Sequence, residues 1–216
     1  MSMRVVLPRL YVILDAALVT TPERDCAQSL ADAGVRLLQY RNKSASARQL
    51  YESSRELAEL VGPRGVSLVV NDRADVAALA GANGVHVGQE DLGVEQARAV
   101  VGESKWIGVS THNLLQFEVA VNTSADYIAV GPVFSTSTKA SPDPIVGIDF
   151  IRKVRAMTEK PIVAIGGITL ESAGEVIAAG ADSVAVISDI LCAPNPGGRA
   201  RQYIKILEAA DHTASV

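Results

Sequence analysis

The chain has 216 residues, of which 48% are hydrophobic and 4% aromatic, and its formal net charge is −4. This apolar content excludes an intrinsically disordered chain, and the negative charge argues against a general nucleic-acid binder, which normally carries a basic excess. With so few aromatic residues, the core must consist mainly of Val, Ile, Leu and Ala, which is typical of parallel sheets buried on both faces.

Short runs rich in Val, Ile and Leu recur along the chain and predict β-strands. Each run lies between stretches with helical or turn-forming character. The predicted strands are Leu10–Asp15, Leu37–Tyr40, Ser67–Asn71, Gly84–Val87, Trp106–Val109, Tyr127–Val130, Pro161–Ile165 and Ser183–Val186.

Amphipathic stretches separate these strands, and their ends carry helix signals. The first is predicted to begin with Thr21 as N-cap and Pro22 at the first helical position, and to end at Gly34. The stretch after the seventh strand shows helix signals of the same kind, beginning with a predicted N-cap at Thr169. A last helix is predicted near Gln202–Ala209.

Strands and helices therefore alternate in repeated βα units, which implies parallel strands joined by right-handed crossovers. An open doubly wound sheet would satisfy this alternation. Closure into a (β/α)8 TIM barrel fits the number of units better, although 216 residues is toward the compact end for such barrels. We predict an α/β fold, a single TIM-barrel domain over residues 1–216, with the barrel over about residues 10–210.

Cysteine usage and the N-terminal sequence bear on the cellular compartment. Cys26 and Cys192 form no CxxC or Cys/His cluster, so neither a zinc site nor a disulfide framework is predicted. The first apolar run is interrupted by Pro8 and Arg9, unlike a signal peptide. No stretch of about 18 apolar residues could span a membrane. The prediction is a soluble cytoplasmic protein.

Polar residues follow most of the predicted strands. In a parallel barrel the carboxyl ends of the strands meet at one mouth, where the βα loops carry the chemistry. If the barrel closes, these residues converge, and the convergence predicts an enzyme active site. In chain order they include Gln39, Arg41, Lys43, Asn71, Asp72, His86, Asp91, Ser110, His112, Thr136, Thr138, Lys139, Gly166, Gly167, Ile187 and Ser188.

Charged groups of both signs meet at this mouth. Arg41, Lys43 and Lys139 are cations, whereas Asp72 and Asp91 are carboxylates. Two carboxylates facing an anionic ligand would repel it unless a cation lay between them. A Mg²⁺ ion held by carboxylates and by substrate phosphate oxygens meets that need. A substrate with a pyrophosphate group, bound with Mg²⁺ as cofactor, is therefore predicted.

Backbone groups at the other side of the mouth predict a second anion site. The amides of Gly166, Gly167, Ile187 and Ser188 follow the last two strands. Many barrels hold a phosphate at this place with loop amides and the N-terminus of a short helix. Glycine lets the backbone approach the anion closely. A single phosphate of another substrate is predicted there.

Each residue taken singly has a plainer interpretation that the sequence leaves open. Arg41 and Lys43 could be solvated charges at a strand end, and Asp72 or Asp91 could begin or cap a helix. His86 could pack in the core or make a structural hydrogen bond. It is the joint pattern that favours a site.

Seven segments along the chain form an ordered set of motifs: LLQYRNK, VNDRADVA, GVHVGQEDL, IGVSTH, YIAVGPVFSTSTK, VAIGGIT and ADSVAVISDIL. In this order they resemble the motifs of the thiamine-phosphate synthase (thiamine-phosphate pyrophosphorylase) family. The resemblance runs from about Leu10 to Leu191. It implies a TIM barrel that joins 4-amino-5-hydroxymethyl-2-methylpyrimidine diphosphate to thiazole phosphate with Mg²⁺, giving thiamine phosphate and pyrophosphate.

The resemblance also implies roles for individual residues. Asp72 and Asp91 match the Mg²⁺ ligands, and Ser110 matches the serine near the pyrimidine and its leaving diphosphate. The matches to the residues that hold the pyrimidine and its diphosphate are Gln39, Arg41, Lys43, Asn71 and Lys139. The matches to the thiazole-phosphate contacts are Thr136, Thr138, Gly167, Ile187 and Ser188. Catalytic roles are implied for Arg41, Lys43, Ser110 and Lys139.

The resemblance implies a dissociative substitution, and no arrangement typical of a protein nucleophile is evident. Alternatives are a thiazole tautomerase of the same fold, another phosphate-binding barrel enzyme, and a non-catalytic regulator that binds thiazole phosphate. Tautomerase relatives, as the resemblance implies, tend to have a histidine where this chain has Pro132. The expected partners are small-molecule substrates, with no nucleic acid or membrane, and a homo-oligomer is left open.

Overall fold

The described residues form parallel strands that close into a barrel. A computed structural model describes residues 5–136 and 143–213, with side chains described up to residue 209. Each strand pairs with the next along the chain and the last pairs with the first, so this sheet has no free edge. The strands are β1 Leu10–Asp15, β2 Leu37–Arg41, β3 Ser67–Asn71, β4 Gly84–Val87, β5 Trp106–Thr111, β6 Tyr127–Val130, β7 Ile162–Ile165 and β8 Ser183–Val186.

Helices follow the strands and cover the outside of the barrel. The predicted TIM barrel is confirmed, and the open doubly wound alternative is wrong. Within the described part of the chain, even the longest helices lack the length and apolar character that a membrane crossing requires. The α-helices are α1 Glu23–Asp32, α2 Ala47–Val61, α3 Ala74–Leu79, α4 Val94–Val101, α5 Leu114–Val121, α6 Ile148–Arg155, α7 Leu170–Ala178, α8 Ser188–Leu191 and α9 Pro196–Thr213.

The helix ends agree only partly with the predicted signals. The prediction of Thr21 as N-cap is wrong, because Pro22 occupies the cap position with φ −50° and ψ 134° and has no capping side chain. Gly34 follows α1 with a φ of 102°, a conformation open to glycine because it has no Cβ. Thr169 is the N-cap of α7, as predicted. The last helix begins at Pro196, well before the predicted start.

Two apolar layers stabilise the barrel. The larger lies between strands and helices and includes Leu38 and Tyr40 of β2. The smaller fills the barrel interior and includes Tyr11 and Tyr127. Because successive side chains of a strand point to opposite faces, Gln39 lies on the interior side of β2. Both faces are buried, which explains why the strands read as nearly continuous runs of Val, Ile and Leu.

Candidate active site

A cavity of about 680 Å³ opens where the barrel strands end. The ends of several strands and the loops that follow them form its walls, the usual location of chemistry in a TIM barrel. The structure therefore brings together residues that are far apart in sequence. Of the residues predicted from sequence, those that line the cavity are Gln39, Arg41, Lys43, Asn71, Asp72, His86, Asp91, Ser110, His112, Thr136, Gly166 and Ile187.

Successive side chains of β2 and of the loop after it point to opposite sides, so every second one faces this cavity. The three that face it are Gln39, Arg41 and Lys43. The side chains between them point away from the cavity. Tyr40 is buried and its hydroxyl donates to Glu23 Oε2 at 2.7 Å, while the Asn42 side-chain oxygen accepts from the Ala45 N–H at 3.0 Å. One wall of the cavity thus carries an amide and two cations in a row.

The two cations that the described residues place in the cavity are both paired with carboxylates. Arg41 Nη1 donates to Asp15 Oδ2, and Lys43 Nζ donates to Asp72 Oδ2. The Asp15 side chain is 3% exposed and also accepts from the Ala17 N–H at 3.0 Å. Burying a carboxylate costs free energy unless it is paired and hydrogen-bonded in this way. Asp15 therefore holds the guanidinium of Arg41 against the end of β1.

Asp72 has an unusual backbone conformation at the mouth of the cavity. Its φ is 64°, in the left-handed region that Asp and Asn enter more readily than other residues with a side chain. Its N–H donates to the carbonyl oxygen of His86 at 2.7 Å. Burial raises the pKa of Asp72, with a further rise from the Asp91 carboxyl, while Lys43 lowers it. Backbone conformations of this kind cluster at functional sites.

The plainer interpretation of the two aspartates as helix caps is wrong. Arg73 is the N-cap of α3 and Gly93 is the N-cap of α4, and neither makes a side-chain capping bond. Asp91 Oδ2 instead accepts from the Gly88 N–H at 2.7 Å. Both carboxylates remain at the cavity, where each has oxygen lone pairs left for a ligand.

The carboxylates of the cavity fit a magnesium ion. Asp72 and Asp91 offer oxygen donors, and the described residues contain no group of three or more His, Cys, Asp or Glu that could hold a metal alone. Mg²⁺ is usually held by one or two carboxylates and completes its coordination with water and substrate phosphate. Among the described residues, the two cations Arg41 and Lys43 meet three carboxylates, those of Asp15, Asp72 and Asp91, so negative charge is in excess. An anionic ligand therefore needs an added cation here.

A continuous hydrogen-bond chain crosses the barrel beneath the cavity. Gln39 Nε2 donates to the Tyr11 hydroxyl at 2.8 Å, and the hydroxyls of Tyr11 and Tyr127 lie 3.0 Å apart. His86 Nδ1 lies 3.1 Å from the Tyr127 hydroxyl, and His86 Nε2 lies 2.8 Å from Ser110 Oγ. Burial lowers the pKa of His86 to about 4, so the imidazole is neutral near pH 7. The structural hydrogen bond expected of His86 is present.

The loops after β6, β7 and β8 meet at the other side of the mouth. Gly166, Ile187 and Thr136 line the cavity, whereas Gly167 and Ser188 lie in the same loops beyond its lining residues. Ser188 is the first residue of α8, and the first N–H groups of a helix have no acceptor within the helix. The predicted residues Thr138 and Lys139 lie outside the described residues.

Some residues of the cavity and its floor carry no recognisable signal in the sequence. Tyr11, Asp15 and Tyr127 belong to apolar strand runs, and only the alternation of the strand could have pointed to them. His112, in contrast, is among the residues predicted at the mouth, and its Nδ1 lies 2.7 Å from the Gly131 carbonyl oxygen.

Known proteins resemble this chain over nearly its whole length. A family model described as thiamine monophosphate synthase matches residues 10–190. The chain is 50% identical to the thiamine-phosphate synthase of Koribacter versatilis, over 94% of this chain and 97% of that protein. It is 42% identical to the thiamine-phosphate synthase of Chloroflexus aurantiacus, over 95% of each. The solved thiamine phosphate pyrophosphorylase from Pyrococcus furiosus aligns with a TM-score of 0.85 at 32% identity, covering 94% of this chain and 96% of that one.

Proposed function

The chain belongs to the thiamine monophosphate synthase family, and from this premise we propose that it is a thiamine-phosphate synthase. Such a transferase of thiamine biosynthesis joins the pyrimidine diphosphate to thiazole phosphate and releases pyrophosphate. One observation carries the assignment of the site. Gln39, Arg41 and Lys43 line the same cavity as Asp72 and Asp91, which is the arrangement that a pyrimidine with a metal-bound diphosphate requires.

Gln39 is proposed to bind the pyrimidine ring. The residue is 2% exposed, and its amide gives one N–H to Tyr11, which leaves a second N–H and a carbonyl oxygen for a ligand. An aminopyrimidine presents an amino donor beside a ring-nitrogen acceptor, which complements this pair. In protein–DNA complexes, Asn and Gln side chains recognise adenine in the same way, through an adjacent donor and acceptor.

The diphosphate is proposed to bind across Arg41, Lys43 and Asn71. Arg41 would keep Asp15 as a partner and use its remaining N–H donors for phosphate oxygens, whereas Lys43 would exchange Asp72 for the phosphate. Both cations would stabilise the charge that develops on the leaving group. Lys139 is assigned the same role from its motif. Mg²⁺ held by Asp72 and Asp91 would supply further charge neutralisation for the leaving diphosphate.

The reaction is proposed to be a dissociative substitution. The bond between the methylene carbon and the diphosphate oxygen breaks, and the electron-rich aminopyrimidine stabilises the resulting cation. The thiazole nitrogen then donates its lone pair to the methylene carbon, so no protein nucleophile is required. The protein contributes position and electrostatic stabilisation, with Ser110 as a hydrogen-bond donor at the leaving group.

The thiazole phosphate is proposed to bind at the loops after β6, β7 and β8. Backbone N–H groups near the start of α8 point to an anion site of the kind common in barrels. The proposed contacts are Thr136, Thr138, Gly167, Ile187 and Ser188.

Replacing Gly167 by alanine is expected to raise KM for thiazole phosphate by roughly tenfold or more, since displaced loop amides lose hydrogen bonds to a charged ligand. Gly167 has a φ of 64°, and a Cβ there would lie 2.3 Å from the carbonyl oxygen of Ser135. In the alanine variant, the loops after β6 and β7 must therefore move apart to make room for the added Cβ. Steady-state kinetics with each substrate varied would measure the effect.

The matched control for this variant is Gly174→Ala. Gly174 lies within α7, and a Cβ there would meet nothing within 4 Å. Alanine at this helical position is expected to leave both KM values unchanged and to raise stability by about 0.5–1 kcal/mol. An unchanged KM for thiazole phosphate in Gly167→Ala would contradict the proposed phosphate site.

The function is tested by incubating the protein with pyrimidine diphosphate, thiazole phosphate and Mg²⁺ and quantifying thiamine phosphate. Product is expected only when both substrates are present. Absence of product from folded protein would refute the synthase assignment. Isomerisation of the thiazole phosphate without the diphosphate partner would favour a tautomerase instead, and binding of thiazole phosphate without any turnover would favour a regulator.

We further propose that residues 1–216 act as one domain and that the protein works in the cytoplasm. The closed sheet leaves no strand edge within the described residues at which a second sheet would begin. The partners of the proposed reaction are small molecules.

A further inference from the structure

The hydrogen-bond chain beneath the cavity joins two residues that the proposed reaction uses, Gln39 and Ser110. Three residues without a role in that reaction connect them: Tyr11 of β1, Tyr127 of β6 and His86 of β4. We propose that these three residues form a positioning relay, which orients the Ser110 hydroxyl as a hydrogen-bond donor to the leaving diphosphate. The proposal rests on the proposed synthase function, since it names an acceptor that belongs to that substrate.

The direction of the hydrogen bonds follows from counting protons. The Gln39 amide donates to the Tyr11 oxygen, so the Tyr11 proton is available for Tyr127. The Tyr127 proton is then available for His86 Nδ1. A neutral imidazole carries one proton, which must sit on Nε2 and be donated to Ser110 Oγ. The hydroxyl proton of Ser110 is left over and can serve a ligand.

The opposite direction between Tyr11 and Ser110 is less favourable. The opposite direction would leave the unused hydroxyl proton on Tyr11, which is 1% exposed. Ser110, in contrast, is only partly buried at the cavity wall. A buried hydroxyl proton without an acceptor costs free energy, while a proton at the cavity can reach water or substrate. Burial therefore selects the direction that ends at Ser110.

The barrel is built to accommodate this relay. Gly108 lies opposite Tyr127 in the pairing of β5 with β6, and a Cβ at Gly108 would lie 2.1 Å from the Tyr127 ring. The missing side chain makes room for the ring in the interior. Tyr11 and Tyr127 pack edge to face with ring centroids 6.1 Å apart, and His86 stacks on Tyr127 at 5.6 Å. Packing thus fixes the ring positions that the hydrogen bonds require.

The relay has a consequence for catalysis. A Ser110 hydroxyl that already accepts a hydrogen bond from His86 is polarised and becomes a stronger donor. Its proton is also held toward the cavity without reorganisation during the reaction. The stabilisation grows as negative charge develops on the diphosphate, so the relay should affect kcat more than substrate binding.

Tyr127→Phe tests the relay because it removes the connecting hydroxyl and keeps the ring. We expect kcat to fall roughly tenfold to a hundredfold with KM for thiazole phosphate unchanged. The matched control is Tyr40→Phe, because Tyr40 is also a buried residue, but its hydroxyl faces the helices and donates to Glu23. The control is expected to keep the wild-type kcat.

A double-mutant cycle with Ser110→Ala separates positioning from a general structural effect. If Tyr127 acts through Ser110, Tyr127→Phe should lower kcat by less than about twofold in the Ser110→Ala background. Losses that multiply in the double variant would overturn the relay. So would a Tyr127→Phe enzyme with wild-type kcat.

Nitrogen-15 NMR of His86 tests the relay independently of activity and of how any variant folds. The wild-type protein is expected to carry the proton on Nε2, with Nδ1 shifted as a hydrogen-bond acceptor. A proton on Nδ1 would overturn the relay. A wild-type protein with the expected tautomer but no thiamine phosphate formation would refute the proposed function and not the hydrogen-bond direction.

Discussion

Asp72→Asn is expected to lower kcat by roughly a thousandfold, because metal-based charge stabilisation contributes several kcal/mol at the transition state. The variant removes one negative charge from the proposed Mg²⁺ site and keeps the size of the side chain. Asparagine also tolerates the φ of 64° at this position, whereas alanine would add backbone strain. The melting temperature should therefore change by less than about 3 °C. Steady-state rates over a range of Mg²⁺ concentrations measure the effect.

Asp75→Asn is the matched control for this variant. Asp75 is an exposed aspartate in the first turn of α3, paired with Arg73, and it is not among the residues that line the cavity. Its replacement should leave kcat and the Mg²⁺ requirement unchanged. A kcat for Asp72→Asn within about threefold of wild type would contradict the metal site, since a lost ligand must cost more than that.

Arg41→Met is expected to lower kcat/KM for the pyrimidine diphosphate by roughly a thousandfold, since a guanidinium bound to a diphosphate acts on both binding and leaving-group charge. It should also destabilise the fold by up to about 3 kcal/mol, because the buried Asp15 carboxylate loses its partner. Kinetics and thermal unfolding measure the two effects separately.

The double variant Arg41→Met with Asp15→Asn distinguishes these two roles. Removing the charge of Asp15 should restore most of the lost melting temperature, since no buried carboxylate remains unpaired. The activity should stay low, because the cation is still absent. Recovery of activity together with stability would show that Arg41 serves the fold alone.

The strands are the part of the fold that the amino-acid sequence predicts best. Short runs of Val and Ile between helical stretches mark each of them, and the starts of β1 through β6 are as predicted. The starts of the helices are harder to predict from the sequence. The Thr21–Pro22 signal fails because the proline itself takes the extended cap conformation, and α8 is too short to give a periodic pattern.

The residues of the cavity are predictable where the strands end in polar groups. The spacing of Gln39, Arg41 and Lys43 is enough to place them on one side of an extended chain, and the structure has them lining one cavity. Asp15 and Tyr127 are different. In a strand buried on both faces, the sequence does not tell which residues face the barrel interior and which face the helices. Closure of the barrel decides this.

We propose that the cavity catalyses a metal-dependent condensation of the two thiamine precursors. This is tested most directly by quantifying thiamine phosphate and pyrophosphate from metal-stripped protein while Mg²⁺ is titrated back. We predict no turnover without a divalent cation, recovery on adding Mg²⁺, and equal amounts of the two products. Thiamine phosphate formed at the same rate without metal, or no product at saturating Mg²⁺, would contradict the account.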